Sequence, residues 1–261
     1  MSDMGSRRIW IAYTTIFFKE SEKIFRIPFQ TLVTPIVTVL LFFLVVGGIL
    51  GEKIGSVQGV SFTAFVVPGV ILLAVMTNTF VHVAKNLFSA RLVWNNISEM
   101  LVAPIPPWVI AMGFASAGMV RGLLVGCVVL LVSLFLSPLS VAHLLVAFFF
   151  FVVTSACFAF IGVIAGLCST SLENISMVNV FVITPAIYIG GVYHSIVHLS
   201  PWAANASTWN PTFYFINGFR YGMLDVSDTD IGLSFIVLTG ATVFSIVIAT
   251  YLSQRRIGLS I

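Results

Sequence analysis

Few side chains in this 261-residue sequence have the type and spacing that chemistry requires. His194 and His198 are four positions apart, so on a helix they would share one face, as paired metal ligands do. No acidic residue stands between them as in the zinc motif H-E-x-x-H, and the sequence offers no further ligand. We therefore interpret the two histidines as polar groups at a membrane interface, with metal binding as the weaker alternative.

Motifs for nucleotide, thiol and proton chemistry are missing from the sequence. It contains no G-x-x-x-x-G-K-[ST] loop that could cradle phosphates, and its three cysteines form no C-x-x-C pair. A proton relay needs buried carboxylates, and none of the apolar runs has an interior Asp or Glu. Arg121 does lie inside such a run, where a charge marks a functional site by default. It could line a conduit or bind an anionic head group, or pair structurally across a dimer or with a helix end.

The composition is that of a membrane protein. Hydrophobic residues make up 59% of the chain, charged residues only 8%, and the mean hydropathy is +1.10. Soluble domains average about 45–50% apolar and about 25% charged residues. The formal charge of +3 is too small to indicate nucleic-acid binding. We expect an all-α polytopic membrane protein forming one domain over residues 1–261.

Six apolar runs reach the roughly 20 residues that a membrane-spanning helix needs. Pro68 and Pro185 could kink the second and fifth of them. An even number of spans places both termini on the same side. The predicted transmembrane helices cover residues 28–50, 62–83, 109–136, 144–167, 175–196 and 231–252.

Basic residues predict the orientation, because cytoplasmic loops carry an excess of Lys and Arg. The loops opposite the termini hold only Lys53 and Arg220, together with several acidic residues. We therefore expect both termini in the cytoplasm. The basic residues on the side of the termini are Arg7, Arg8, Lys19, Lys23, Arg26, Lys85, Arg91, Arg255 and Arg256.

The segment before the first span, residues 6–27, is predicted to be an amphipathic helix in the membrane interface. One set of its residues recurs at helical spacing and is apolar, and the charged residues fall on the other side. The apolar set is Trp10, Tyr13, Phe17 and Ile24, and the charged set is Arg8, Lys19, Glu22, Lys23 and Arg26.

Residues 84–108, between the second and third spans, form a partly polar cytoplasmic segment. A helix-compatible stretch from Arg91 to Val102 is stopped by Pro104, Pro106 and Pro107, because proline removes a backbone donor and clashes inside a helix. A short helix held between two spans and ended by a rigid elbow can dock a partner from the aqueous side.

The outer segment, residues 197–230, is rich in aromatic residues and broken by Pro201 and Pro211. Aromatic residues concentrate at membrane interfaces, and Pro211 after Asn210 favours a helix start. We expect one or two short helices that re-enter the outer leaflet, which is tolerated where the backbone is buried in protein or lines a water-filled space.

The order of these elements resembles the permease subunits of ABC-2 type exporters over nearly the whole chain. Residues 99–105 (EMLVAPI) look like the segment that follows the coupling helix in that family. Residues 189–192 (IGGV) stand where the family has a glycine-containing run after a proline, although the proline that often follows is replaced by Tyr193. Residues 210–214 (NPTFY), followed by Arg220 and Tyr221, resemble the family's N-P-x-x-Y and R-Y pair.

The resemblance implies a permease of the bacterial inner membrane that pairs with a second copy and docks a separate ABC-type ATPase, which binds ATP and Mg. The chain itself would carry no cofactor and no catalytic site. A channel or scaffold without energy coupling, and a membrane-embedded enzyme acting on lipid, are the alternatives. Composition favours an amphipathic or lipid-linked cargo. The expected ATPase contacts are Arg91, Leu92, Asn95, Asn96, Glu99 and Met100, and the expected pathway or outer-gate residues are Gly190, Gly191, Asn210, Pro211, Tyr214, Arg220 and Tyr221.

Overall fold

The structure is a computed structural model, and it describes residues 2–26, 29–45, 55–93, 105–137 and 141–255. Helices dominate these residues, which confirms the all-α class, and one small antiparallel hairpin joins them. In chain order the elements are α1 (Ser2–Arg26), a π-helical turn (Phe29–Val33), α2 (Thr34–Phe42), β1 (Ser56–Val57), β2 (Val60–Ser61), α3 (Phe62–Phe88), a π-helical turn (Ser89–Val93), α4 (Pro107–Leu136), α5 (Leu144–Cys168), α6 (Leu172–Val178), a π-helical turn (Asn179–Ile183), α7 (Thr184–Ile189), a 3₁₀ turn (Ile196–His198), α8 (Pro201–Thr208), α9 (Pro211–Leu224) and α10 (Ile231–Gln254).

Several helix starts follow from the local sequence. The Ser61 side chain accepts a hydrogen bond from the Ala64 amide at the start of α3, and the Asp230 side chain accepts one from Leu233 at the start of α10. Such side chains satisfy amide groups that lack a partner inside the helix. Proline stands within the first two positions of α4, α8 and α9, where its missing N–H costs nothing.

Five helical segments of the described chain are long and apolar enough to cross a membrane. They are Phe62–Val93, Pro107–Leu136, Leu144–Cys168, Leu172–Ile189 and Ile231–Gln254. The predicted first span, residues 28–50, is described only in its middle part, as a shorter apolar helix over Thr34–Val45. A polytopic membrane protein is therefore confirmed, whereas a sixth span stays a prediction.

Helix α3 is the centre of the bundle and packs against α4, α5 and α9. Glycines allow the close approach on both of its flanks. A Cβ atom added at Gly122 of α4 would lie 1.7 Å from Thr79 Oγ1, and one added at Gly162 of α5 would lie 2.9 Å from the Phe80 carbonyl oxygen. Small residues at helix interfaces are the usual means of tight packing in membranes.

The predicted N-terminal segment is a helix in the structure, and its position in the membrane interface stays a prediction. Helix α1 buries Ile16, Glu20 and Ile24 against α4, while Trp10 of the predicted apolar set is 65% exposed. Lys23, predicted on the charged face, lies near the packed side and pairs with Glu20 Oε1 at 2.7 Å. The neighbouring helix, which the sequence pattern does not reveal, decides which stripe of α1 is covered.

Two predicted boundaries differ from the observed ones. Helix α3 and its π-helical turn run without a break to Val93, so the first part of the 84–108 segment belongs to the spanning helix. The helical backbone of the predicted 175–196 span ends at Ile189, because the chain turns at Gly190 and Gly191, with a φ of +86° at Gly191. Apolar residues continue past this turn, so hydropathy alone did not mark the end of the helix.

Candidate functional site

A buried ion pair lies on the side of the bundle that the distribution of basic residues predicts to face away from the cytoplasm, and we call this the outer side. Arg220 of α9 is 1% exposed, and its Nη1 donates to Asp228 Oδ2 at 3.4 Å. Its Nη2 donates to the Gly191 carbonyl at 2.6 Å and its Nε to the Phe65 carbonyl at 3.3 Å, while the guanidinium stands 3.8 Å above the centroid of the Phe65 ring. One side chain thus joins α9, the outer end of α3 and the turn after α7.

The Asp228 carboxylate receives further donors from distant parts of the chain. Its Oδ1 accepts a 2.6 Å hydrogen bond from Gln58 Nε2 in the hairpin turn and another from the Ser195 hydroxyl. The Asp228 amide donates to Asn217 Oδ1 at 2.7 Å, which fixes the loop to α9. We call Arg220, Asp228, Ser195, Gln58 and Asn217 the outer network. The hydrogen bonds from Gln58 and Ser195 and the ion pair with Arg220 compensate for the lost hydration of the Asp228 carboxylate. The charge pair can therefore stay buried inside the protein.

Burial sets the electrostatics of this region. It lowers the pKa of Arg220 to about 10, and Asp228 opposes that change, so the guanidinium stays charged at neutral pH. The pKa of His194 is also lowered, first by burial and then by the nearby positive charge of Arg220, against an opposing effect of Asp228. His194 is therefore neutral at pH 7.

The motif Asn210–Pro211 begins α9, as predicted from the sequence. The Asn210 side chain also contacts the backbone of α7, close to the point where that helix ends. The Asn210 side chain accepts a hydrogen bond from the Thr212 amide at 3.1 Å and donates to the Ala186 carbonyl, which also accepts from Thr212 Oγ1 at 2.8 Å. A Cβ atom at Gly190 would stand 2.5 Å from Thr212 Oγ1. The absence of a Cβ atom at Gly190 is what allows α7 and Thr212 to approach so closely.

The seven residues expected at the outer gate do not form one cluster. Gly190, Gly191, Asn210, Pro211 and Arg220 surround the junction of α7 with α9, directly or through Thr212. Tyr214 instead donates to the Thr208 carbonyl at 3.0 Å, and Tyr221 stacks on His143 with ring centroids 4.8 Å apart.

Sequence reasoning missed Asp228, Gln58 and Ser195. The sequence did indicate a partner of the Asp228 type, because an arginine in a membrane protein needs a counter-charge. Three aspartates follow α9 closely. The spacing did not say which of the three would be buried. Gln58 had no signal, since its hydrogen bond spans 170 positions of the chain.

On the opposite side of the bundle, Arg91 is 8% exposed and caps α5. Its Nη1 donates to the Gly166 carbonyl at 2.8 Å and to the Leu167 carbonyl, and its Nη2 donates to the Ser169 carbonyl at 2.8 Å. These are carbonyls that a helix end leaves without partners. The structure therefore shows an intramolecular role for Arg91, and its expected contact with a partner stays a prediction.

The other residues expected to contact the ATPase are only partly described by the structure. Leu92, next to Arg91, is 47% exposed and points out of the bundle core. Asn95, Asn96, Glu99 and Met100 lie outside the described residues.

Arg121 of α4 is half-buried and reaches α3. Its Nη1 is 3.3 Å from His82 Nδ1, which is also 3.0 Å from Asn86 Nδ2. Within the described residues Arg121 has no carboxylate partner. We call Arg121, His82 and Asn86 the inner junction. The structure thus shows a contact between α4 and α3 at Arg121, and the roles considered for this residue from the sequence stay predictions.

The comparisons with known proteins agree with this architecture. A sequence profile described as ABC-2 type transporter matches residues 12–224. The chain is 39% identical to the inner membrane transport permease YadH of Escherichia coli (strain K12) over 250 residues, which cover 96% of this chain and 97% of the relative. It is 25% identical to nodulation protein J of Rhizobium leguminosarum bv. viciae over 214 residues, 81% of this chain and 82% of that protein.

Proposed function

The chain belongs to the ABC-2 type transporter family, and from this premise we propose that it is the permease subunit of an ATP-driven exporter in a bacterial inner membrane. Two copies would form the translocation pathway, each docked to a separate ATPase that binds ATP and Mg. The observation that carries the proposal is the family match over most of the chain. The arrangement of α3 between two anchored ends explains how such a subunit could work.

Helix α3 connects the expected docking side to the outer side. At its inner end, Arg91 ties the turn after α3 to the last carbonyls of α5. At its outer end, the Phe65 carbonyl and ring hold Arg220, and a Cβ atom at Gly69 would lie 2.8 Å from the Val192 backbone. A displacement of the inner end of α3 would therefore move α5 together with α3. It would also strain the contacts that α3 makes with the outer network.

The coupling surface in this proposal begins at Leu92 and continues through the expected contacts Asn95, Asn96, Glu99 and Met100. An exposed leucine at the end of a rigid helix suits docking into a groove of a partner. Arg91 would hold this surface in place, because its guanidinium donates hydrogen bonds to the carbonyls at the end of α5. Force from the ATPase would then reach two spans at once.

The cargo in this proposal is amphipathic or lipid-linked. Large apolar side chains are exposed along α10 and the segment before α7, among them Phe181 (71%) and Phe244 (67%). In the membrane such surfaces would meet lipid, the second copy or the pathway, and those in the pathway would not attract a soluble ion. The cargo class rests on this apolar character.

A mild-detergent purification of the tagged chain tests the partner. We expect an ATPase in equal amount, and we expect Glu99→Arg to remove it while the chain itself is still produced. The matched control is Glu173→Arg, which reverses an exposed acidic residue in the other turn on the same side. Loss of the ATPase in both variants, or in neither, would remove the coupling role of the 92–100 segment.

The ATPase activity of the purified complex in lipid nanodiscs tests the cargo class. We expect stimulation by an amphipathic compound and no response to soluble ions. Stimulation by an ion alone would contradict the cargo proposal and leave the partner proposal standing.

A further inference from the structure

A groove of about 480 Å³ lies between α1 and α4, away from the outer network. Its apolar wall consists of Phe17, Phe18 and Phe25 from α1 and Val120 from α4. Phe18 and Phe25 are 67% and 65% exposed, so the protein leaves this aromatic surface open. Aromatic rings of this kind accommodate an alkyl chain.

The polar side of the groove contains a hydroxyl with an unmet hydrogen bond. Ser21 is 9% exposed and lines the groove, and its buried Oγ has no hydrogen-bond partner among the described residues. A serine within a helix commonly donates to the carbonyl four positions earlier, and Ser21 does not. A buried hydroxyl without a partner destabilises the protein, so a bound acceptor would stabilise it.

The charge at the mouth of the groove is positive. Lys19 is exposed there and makes no ion pair within the described chain, whereas Glu22 is engaged by Arg26 Nη2 at 3.0 Å. An anion that accepts from both Lys19 and Ser21 would satisfy the cation and the hydroxyl together. A phosphate with an attached alkyl chain combines this acceptor with an apolar tail.

The depth of the groove in the membrane agrees with such a ligand. Helix α4 has 30 residues and is about 45 Å long, which exceeds a hydrocarbon core of about 30 Å. Val120 lies about 24 Å from the outer end of α4 at Leu136, at about 1.5 Å per residue. With Leu136 at the outer boundary of the hydrocarbon core, Val120 lies about 6 Å inside the inner boundary, so the groove is close to the level where lipid phosphates and acyl chains meet.

We propose that this groove holds one anionic phospholipid of the inner leaflet. The acyl chain lies against Phe17, Phe18 and Phe25, and the phosphate accepts hydrogen bonds from Lys19 and Ser21. The lipid fastens the N-terminal helix to α4 at the membrane surface. This inference does not depend on the export function.

Native mass spectrometry tests the proposal on the full chain, released from nanodiscs made of equal parts phosphatidylglycerol and phosphatidylethanolamine. We expect one tightly retained phosphatidylglycerol per chain. Lys19→Gln should lower the ratio of retained phosphatidylglycerol to phosphatidylethanolamine about fivefold, the factor for about 1 kcal/mol per basic residue at an anionic surface. The matched control is Arg8→Gln, an exposed cation of the same helix outside the groove, which should leave the ratio unchanged.

Ser21→Ala separates lipid binding from folding. We expect it to lower phosphatidylglycerol retention without lowering the melting temperature, because the hydroxyl serves only the lipid. Thr15→Ala, which removes an exposed hydroxyl of the same helix, should change neither quantity. Equal losses in Lys19→Gln and Arg8→Gln would show general surface attraction and overturn the site. Unchanged retention in both Lys19→Gln and Ser21→Ala would overturn it as well.

Discussion

The outer network and the inner junction both centre on an arginine within a bundle of apolar helices, but they use it in different ways. Arg220 has a carboxylate, two carbonyls and an aromatic ring as partners. Arg121 has one contact with an imidazole and is half-buried. A fully buried charge must be compensated at every donor, whereas a half-buried one keeps part of its hydration. The outer region therefore depends on its charge pair, and the inner region depends on the packing around Arg121.

The largest expected effect is at the outer network. Arg220→Met should lower the free energy of unfolding by about 3–5 kcal/mol, because it leaves the buried Asp228 carboxylate without its counter-charge. Thermal unfolding in detergent measures the change, with Arg255→Met as a control at an exposed arginine. The double variant Arg220→Met/Asp228→Leu should recover part of the loss. A double variant no more stable than the single one would show that the carboxylate is not the source of the cost.

The next effect tests whether packing holds the inner junction. Gly122→Ala should destabilise the protein by about 1–3 kcal/mol, because the new Cβ atom would collide with Thr79 Oγ1 at 1.7 Å. Gly240→Ala is the matched control, since a Cβ atom there meets nothing within 4 Å and gains only helix propensity. The two melting temperatures should move in opposite directions. Equal shifts would refute close packing as the basis of this region.

A smaller effect is expected from the inner arginine itself. Arg121→Met should change the free energy of unfolding by less than about 1 kcal/mol, the usual net value of one hydrogen bond. The same unfolding assay used for Arg220→Met gives the comparison directly. A loss as large as that of Arg220→Met would mean that Arg121 has a strong partner, and the contrast between the two regions would fail.

The smallest effect is a pH dependence at the edge of the outer network. His194 has a lowered pKa in the folded protein, so between about 6.5 and that lower value the unfolded chain binds more protons. The free energy of unfolding should fall as the pH drops through this window. His194→Gln should reduce the slope of melting temperature against pH below 6.5 relative to the parent protein. Identical slopes would show that another group controls the acid sensitivity of this region.

The sequence predicted much of the fold because hydropathy and proline report on local preferences. The spans that contain α3, α4, α5 and α10 are found close to their expected positions, and α9 begins at Pro211. The same reasoning placed the end of the fifth span too late. A single glycine turn ended that helix inside a run that is still apolar.

The candidate site was only partly predictable. The motif residues Asn210 and Arg220 stood out by type, and the structure brings both to the end of α7. Arg91 also stood out, but its burial against α5 depends on a helix 75 positions away in the chain. Exposure and partner choice of a charged residue are set by such distant elements.

By itself, the sequence determined that this protein is a helical membrane protein of the ABC-2 type, since apolar length and short motifs are local properties. Only the tertiary structure decided that Asp228 is the partner of Arg220, that Arg121 has no carboxylate partner among the described residues, and that Ser21 lines a groove. These outcomes depend on which helices meet and at what depth. Long-range packing sets both, and no local stretch of sequence carries that information.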